Sequence, residues 1–169
     1  MDVVCLDLEG VLIPEIWIAF AEKTGIDALR ATTRDVPDYD ELMGQRLRIV
    51  KENNFKLGDI QKVIEELEPL PGAVSFLDDL REHYQVIILS DTYYEFTRPL
   101  MKQLNWPTLF CHQLEIDENK RIVDYLAGEF QKNEGVDLLK DLAKEGKRNF
   151  NRFIECAVDE TDECKKVAE

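Results

Sequence analysis

Val3-Val4-Cys5-Leu6-Asp7-Leu8-Glu9-Gly10-Val11 sets an unbroken apolar run against two carboxylates, one residue apart, and a glycine. Four consecutive apolar residues bounded by polar ones read as a strand buried on both faces. Three further runs have the same form: Val86 to Leu89, Thr108 to Cys111 and Phe153 to Val158. Stretches with helical spacing separate them, such as Ala73, Phe76, Leu77 and Leu80, or Val136, Leu139, Leu142 and Ala143. That alternation predicts a parallel sheet covered by helices.

The gap between Leu6 and Val86 is far longer than one crossover helix needs. It holds three helical patterns: one from Pro14 through Ile16, Ala19, Phe20 and Lys23; one through Tyr39, Leu42, Met43, Arg46, Leu47 and Val50; one through Ile60, Val63, Ile64 and Leu67. The excess reads as an inserted helical cap over residues 14–70, and residues 1–13 with 71–169 form a discontinuous core. Pro69-Leu70-Pro71-Gly72 punctuates the return to the sheet. Beyond the third strand, Leu114 to Ile116 and Arg121 to Tyr125 flank Asp117-Glu118-Asn119-Lys120 as a hairpin. Trp106 before Pro107 fits a helix-to-strand turn.

The 169 residues suffice for one domain with a small insertion and exclude two large independent domains. A formal charge of -14 opposes binding to a phosphate backbone, so no nucleic acid partner is expected. The N-terminus lacks the basic start and apolar stretch of a signal peptide, and Ile16 to Ala21 is too short to span a bilayer. The chain reads as soluble, with no membrane partner. The four cysteines form no CxxC pair, which suits a reducing cytoplasm. His83 and His112 lack a nearby cysteine pair, which argues against zinc. Composition and spacing leave the oligomeric state open.

In open α/β sheets ligands bind beyond the carboxyl ends of the strands. There the sequence offers Asp7 and Glu9, then Ser90-Asp91-Thr92, then Asp159-Glu160-Thr161-Asp162-Glu163. Two acids one residue apart suit a nucleophile and a general acid. They also suit an acid that ends a strand and caps the next helix. The order of acid pair, Ser, a later Lys and a final Asp favours a site.

Cys5 to Val11, Pro14-Glu15-Ile16-Trp17-Ile18-Ala19-Phe20 and Ile88-Leu89-Ser90-Asp91-Thr92 resemble characteristic segments of the haloacid dehalogenase-like phosphohydrolases. Within that superfamily they are most similar to the bifunctional phosphoserine phosphatase/phosphoserine:homoserine phosphotransferase group. The resemblance is close from Met1 to about Tyr125. Further on, Lys132 with Val136 and Leu139 resembles the third motif, at a longer separation from Asp159 than is usual. Val158 stands where the family commonly has Gly. The resemblance would also predict another strand and helix after Glu169, so the chain reads as a truncated or diverged member. The architecture it implies is α/β, a Rossmann-like parallel sheet with helices on both faces and an inserted helical cap.

By that resemblance Asp7 attacks phosphorus and Glu9 is the general acid and base. Mg²⁺ is held by Asp7, the main-chain carbonyl of Glu9 and Asp159. Ser90 and Lys132 hold phosphate oxygens. Glu15 binds the amino group of phosphoserine, Arg46 its carboxylate, and Met43 lines the pocket; Asp91 and Asp162 complete the substrate-binding set, with Glu163 an alternative to Asp162. Without the resemblance, Arg46 fits an ordinary helix-surface pair, Lys132 a solvated lysine, and the Asp159 to Glu163 cluster the first turn of a helix. The activity implied is that of a cytoplasmic phosphoserine phosphatase that also transfers phosphate to homoserine. A phosphatase for another small phosphomonoester and a weakly active metabolite-binding remnant are the alternatives.

Overall fold

The computed structural model describes residues 2–126 and the strand at 152–156. Lys132, the helical pattern at Val136 to Ala143, Val158, Asp159, Asp162 and Glu163 lie outside the described residues. Along the chain run β1 (Asp2–Leu6), α1 (Ile16–Thr24), a 3-10 turn (Asp27–Arg30), α2 (Tyr39–Glu52), α3 (Leu57–Ile64), α4 (Ala73–His83), β2 (Gln85–Tyr93), α5 (Tyr94–Gln103), β3 (Thr108–Ile116), β4 (Ile122–Leu126) and β5 (Arg152–Cys156). The sheet order is β4-β3-β2-β1-β5. β3, β2, β1 and β5 are parallel, and β4 joins β3 antiparallel.

β1 is interior to the sheet because its side chains are apolar on both faces. Val4 and Leu6 enter the main core with the helices, whereas Val3 and Cys5 pack with Leu89, Ile87 and Phe110 on the other side. Pairing of Leu6 with Ile88 sets the end of β1 beside the middle of β2, just before Ser90. Asp7 and Ser90 therefore emerge at one edge.

Between β1 and α4 the chain carries α1, the 3-10 turn, α2 and α3. Ile16, Trp17, Phe20, Met43, Ile60 and Ile64 share one apolar cluster with Leu6, Leu77, Ile88 and Phe96, so these three helices and the sheet are packed without a seam. The chain leaves and re-enters the core at one point, where the Leu70 N–H donates to the Leu12 carbonyl at 2.9 Å. Gly72, with φ of 85°, then makes the left-handed turn into α4 that Pro69 to Gly72 predicted.

Three features differ from the sequence-based expectation. β2 does not end at Leu89; it runs to Tyr93, with a register irregularity against β3 between Leu89 and Tyr93. Such irregularities re-aim side chains, and this one carries Ser90, Asp91 and Thr92. The third strand and the first arm of the hairpin are a single strand, β3, because Cys111, His112 and Leu114 continue its burial. Finally, α5 carried no recognised pattern. Phe96, Thr97, Leu100 and Met101 form its buried face, but Pro99 interrupts its interior. Pro99 has no N–H for the Glu95 carbonyl four residues earlier; Gln61 Nε2 from α3 donates to that carbonyl at 2.9 Å.

Candidate active site

The site begins where β1 stops. Gly10, with φ of 75°, reverses the chain, its N–H donates to the Ile13 carbonyl at 2.7 Å, and Leu12 and Ile13 both donate to the Leu8 carbonyl. Only a residue free of Cβ constraint makes that reversal at low cost. It anchors Leu8 in the core and leaves Asp7 and Glu9 facing the edge. Asp7 Oδ1 accepts from the Leu8 N–H at 2.8 Å. Glu9 Oε2 accepts from the Ile16 N–H at 2.9 Å, at the start of α1.

A cavity of about 120 Å³ opens at this edge. Asp7, Glu9, Glu15, Arg46, Ser90 and Asp91, six of the residues singled out from the sequence, line it together.

Glu9 keeps some surface within the cavity but is enclosed by protein. Loss of water raises its pKa from 4.5 to about 7, against the opposing effects of the Ile16 N–H, the Thr92 hydroxyl and Arg46. Thr92 Oγ1 is buried, and its interaction with Glu9 is looser than a standard hydrogen bond. A carboxyl poised near neutrality can both give and take a proton.

Arg46 is only 8% exposed. Its Nη2 donates to the Ala31 carbonyl at 2.8 Å, its Nη1 lies 3.8 Å from Met43 Sδ, and its guanidinium sits 5.0 Å from the Trp17 ring. Burial lowers its pKa, and Glu9 is the largest influence in the other direction. Its Nε is buried and has no hydrogen-bond partner. This burial does not fit the alternative of an ordinary surface pair. Met43 is fully buried and is not among the cavity-lining residues. It backs Arg46 instead of forming the pocket wall expected of it.

Thr32, Thr33, Tyr39, Leu42 and Trp17 also line the cavity, beyond the residues that the sequence marks as candidates. Tyr39 and Leu42 were legible only as helix residues on the face that carries Arg46, whereas Thr32 and Thr33 lie between elements, where no period marks them. His112, dismissed as a zinc ligand, is buried with Nε2 3.5 Å from Asp91 Oδ1.

Asp7, Glu9, Glu15 and Asp91 oppose the single guanidinium of Arg46 around the cavity. An oxygen-rich, acidic lining of this kind fits a hard divalent cation such as Mg²⁺. Among the described residues no group of three or more acid, histidine or cysteine side chains is arranged to hold a metal, and Asp159 lies outside them. Among the same residues no helix is long and apolar enough to cross a membrane.

A model of the haloacid dehalogenase-like hydrolase family matches residues 1–148. Over 125 residues the chain is 70% identical to the phosphoserine phosphatase ThrH of Pseudomonas aeruginosa, covering 74% of this chain and 61% of that one. It is 67% identical over 125 residues to a phosphoserine phosphatase of Pseudomonas syringae pv. tomato, covering 74% of this chain and 53% of that one. The chain thus spans between about half and three fifths of the length of these curated relatives. Among solved structures, a phospho-aspartyl intermediate analogue of phosphoserine phosphatase superposes with a TM-score of 0.70 at 18% identity, over 90% of this chain and 76% of that one. A substrate-bound phosphoserine phosphatase complex gives 0.69 at 17% identity, over 90% and 75%. At such identities the likeness establishes the fold.

Proposed function

The chain belongs to the haloacid dehalogenase-like hydrolase family, and from that premise we propose that it is a Mg²⁺-dependent cytoplasmic phosphoserine phosphatase that also passes phosphate to homoserine. The observation that carries the reading is one cavity shared by strand-end groups and cap groups of opposite sign. Asp7, Glu9 and Ser90 meet Glu15 and Arg46 there. Strand-end groups of this type suit a phosphoryl group, and a carboxylate beside a guanidinium suits the ammonium and carboxylate of an amino acid. The names of the two Pseudomonas relatives support the same substrate.

In the first step Asp7 attacks phosphorus in line: an Asp7 oxygen-to-phosphorus bond forms, the bond from phosphorus to the serine oxygen breaks, and Glu9 gives its proton to that oxygen. In the second step Glu9, now a carboxylate, takes a proton from water as the water oxygen bonds to phosphorus. The aspartyl-phosphate bond then breaks and inorganic phosphate leaves. A pKa near 7 suits Glu9 to both duties. Ser90 by its hydroxyl and Lys132 by its charge hold phosphate oxygens, and Asp91 and Asp162 belong to the substrate set. Asp7, the Glu9 carbonyl and Asp159 would hold Mg²⁺, which supplies neutralisation of the phosphate charge among these acids.

Residues 14–70 serve as the cap that selects the substrate. With homoserine in place of water, the same Glu9 carboxylate takes the proton of the homoserine hydroxyl. The test is phosphate release with Mg²⁺ from a panel of phosphoserine, phosphoethanolamine, glycerol phosphate and p-nitrophenyl phosphate. Preference for phosphoserine is expected. Equal use of phosphoethanolamine, which has no carboxylate, would refute the assignment of Arg46 and favour another small phosphomonoester.

A further inference from the structure

Four aromatic residues from four separate elements meet beside the cavity, and the mechanism above uses none of them. Tyr39 stands in the first turn of α2, Tyr93 at the end of β2, His112 in β3 and Tyr125 in β4. The Tyr39 ring stacks on His112 with centroids 5.4 Å apart and meets Tyr125 edge-on at 5.7 Å. Tyr93 packs on His112 and on Tyr125, each at 5.9 Å.

The hydroxyls have a fixed direction. Tyr39 Oη lies 2.6 Å from the Asp91 main-chain carbonyl and 2.8 Å from Tyr93 Oη. A carbonyl can only accept, so the Tyr39 proton is committed to Asp91 and Tyr93 must donate to Tyr39. Burial raises the pKa of both phenols, so both protons are retained. Tyr125 Oη donates to the Asp40 carboxylate, which secures the same turn of α2 from the hairpin side. The Asp38 side chain accepts from the Glu41 N–H at 2.9 Å and fixes where that turn begins.

Arg46 follows Tyr39 by seven residues, about two turns, and so shares its face. Both line the cavity. We propose that Tyr39 is a positioning residue: the chain of contacts from Tyr93 through Tyr39 to the Asp91 carbonyl keys α2 to β2, and thereby sets Arg46 in the same cavity as Ser90. The β3–β4 hairpin is then the arm that brings Tyr125 to the cap. The catalytic consequence rests on the phosphoserine reading; the mechanical joint does not.

The test is Tyr39→Phe, which keeps the ring stack and removes both hydroxyl contacts. For phosphoserine, KM should rise about tenfold, the worth of one ordinary hydrogen bond, with kcat changed less than about threefold. The ratio of kcat/KM for phosphoserine to that for p-nitrophenyl phosphate, which offers Arg46 no carboxylate, should fall about tenfold. An unchanged ratio would overturn the proposal. Tyr93→Phe should act in the same direction, and the double variant should be no worse than Tyr39→Phe alone; additive losses would overturn a single chain of contacts.

Hydrogen exchange gives a readout that needs no turnover. The α2 amides should exchange faster in Tyr39→Phe while those of β1 keep their protection. Unchanged α2 exchange overturns the joint whatever the activity. Faster α2 exchange in a protein that hydrolyses neither compound would keep the joint and refute the phosphatase reading alone.

Discussion

Glu9 Oε2 accepts a hydrogen bond from the Ile16 N–H at 2.9 Å, so the acid that follows β1 also closes the N-terminus of α1. The sequence-based alternative of an acid that caps the next helix is met by Glu9. The helix terminus favours the carboxylate, whereas enclosure favours the acid. Enclosure wins, and the pKa rises to about 7.

That displacement has a definite sign for stability. Between the ordinary value of 4.5 and about 7 the folded protein holds a proton that the unfolded chain has lost. The contribution is therefore fully present below 4.5, is lost as pH rises toward 7, and is level above it. In metal-free protein, Glu9→Gln should gain stability relative to the parent by about 1–3 kcal/mol between acid and mildly alkaline pH. Urea denaturation across that range checks it; parallel curves would contradict it. Turnover by the same variant should fall about 10²–10⁴-fold.

Gln61 should matter because Pro99 is there. Loss of its hydrogen bond to the Glu95 carbonyl in Gln61→Ala should cost about 1 kcal/mol. In a Pro99→Ala background the new N–H can serve that carbonyl, and the Gln61→Ala cost should shrink. A double-mutant cycle by urea denaturation measures the coupling; strict additivity would mean that Gln61 does not substitute for the missing donor.

Arg46→Ala should raise KM for phosphoserine at least tenfold and abolish diversion of phosphate to homoserine together, since one guanidinium serves both carboxylates. One extra methylene in the acceptor costs only about 1–3 kcal/mol. Phosphorus NMR of products formed with saturating homoserine separates the cases. Parent protein yielding only inorganic phosphate would leave a plain phosphatase.

An unbroken apolar run made β1 legible, and periodicity made α1, α2, α3 and α4 legible, because each helix buries a regular stripe. It failed at α5, where Pro99 breaks the pattern and Gln61, a cap residue 34 positions away from Glu95, repairs it. It failed again at Leu89, since burial of Ser90 and Thr92 carries β2 onward through polar residues. Asp7, Glu9, Ser90 and Asp91 were legible because strand ends converge by topology. Glu15 and Arg46 needed the family resemblance, as nothing local tells a buried arginine from a surface one. Tyr39 was legible as a helix residue but not as a partner of the strand edge: Asp91 is 52 residues away, and only the fold brings them together.

If Asp7 takes the phosphoryl group of phosphoserine, release of phosphate by the purified protein must depend on it. With Mg²⁺ the parent should release phosphate from phosphoserine, with EDTA it should not, and Asp7→Asn, which removes the charge at nearly constant volume, should be inactive while its unfolding curve stays cooperative. Acid quenching during parental turnover should leave phosphate on Asp7. Hydrolysis of phosphoserine by Asp7→Asn at the parental rate would rule Asp7 out as the nucleophile.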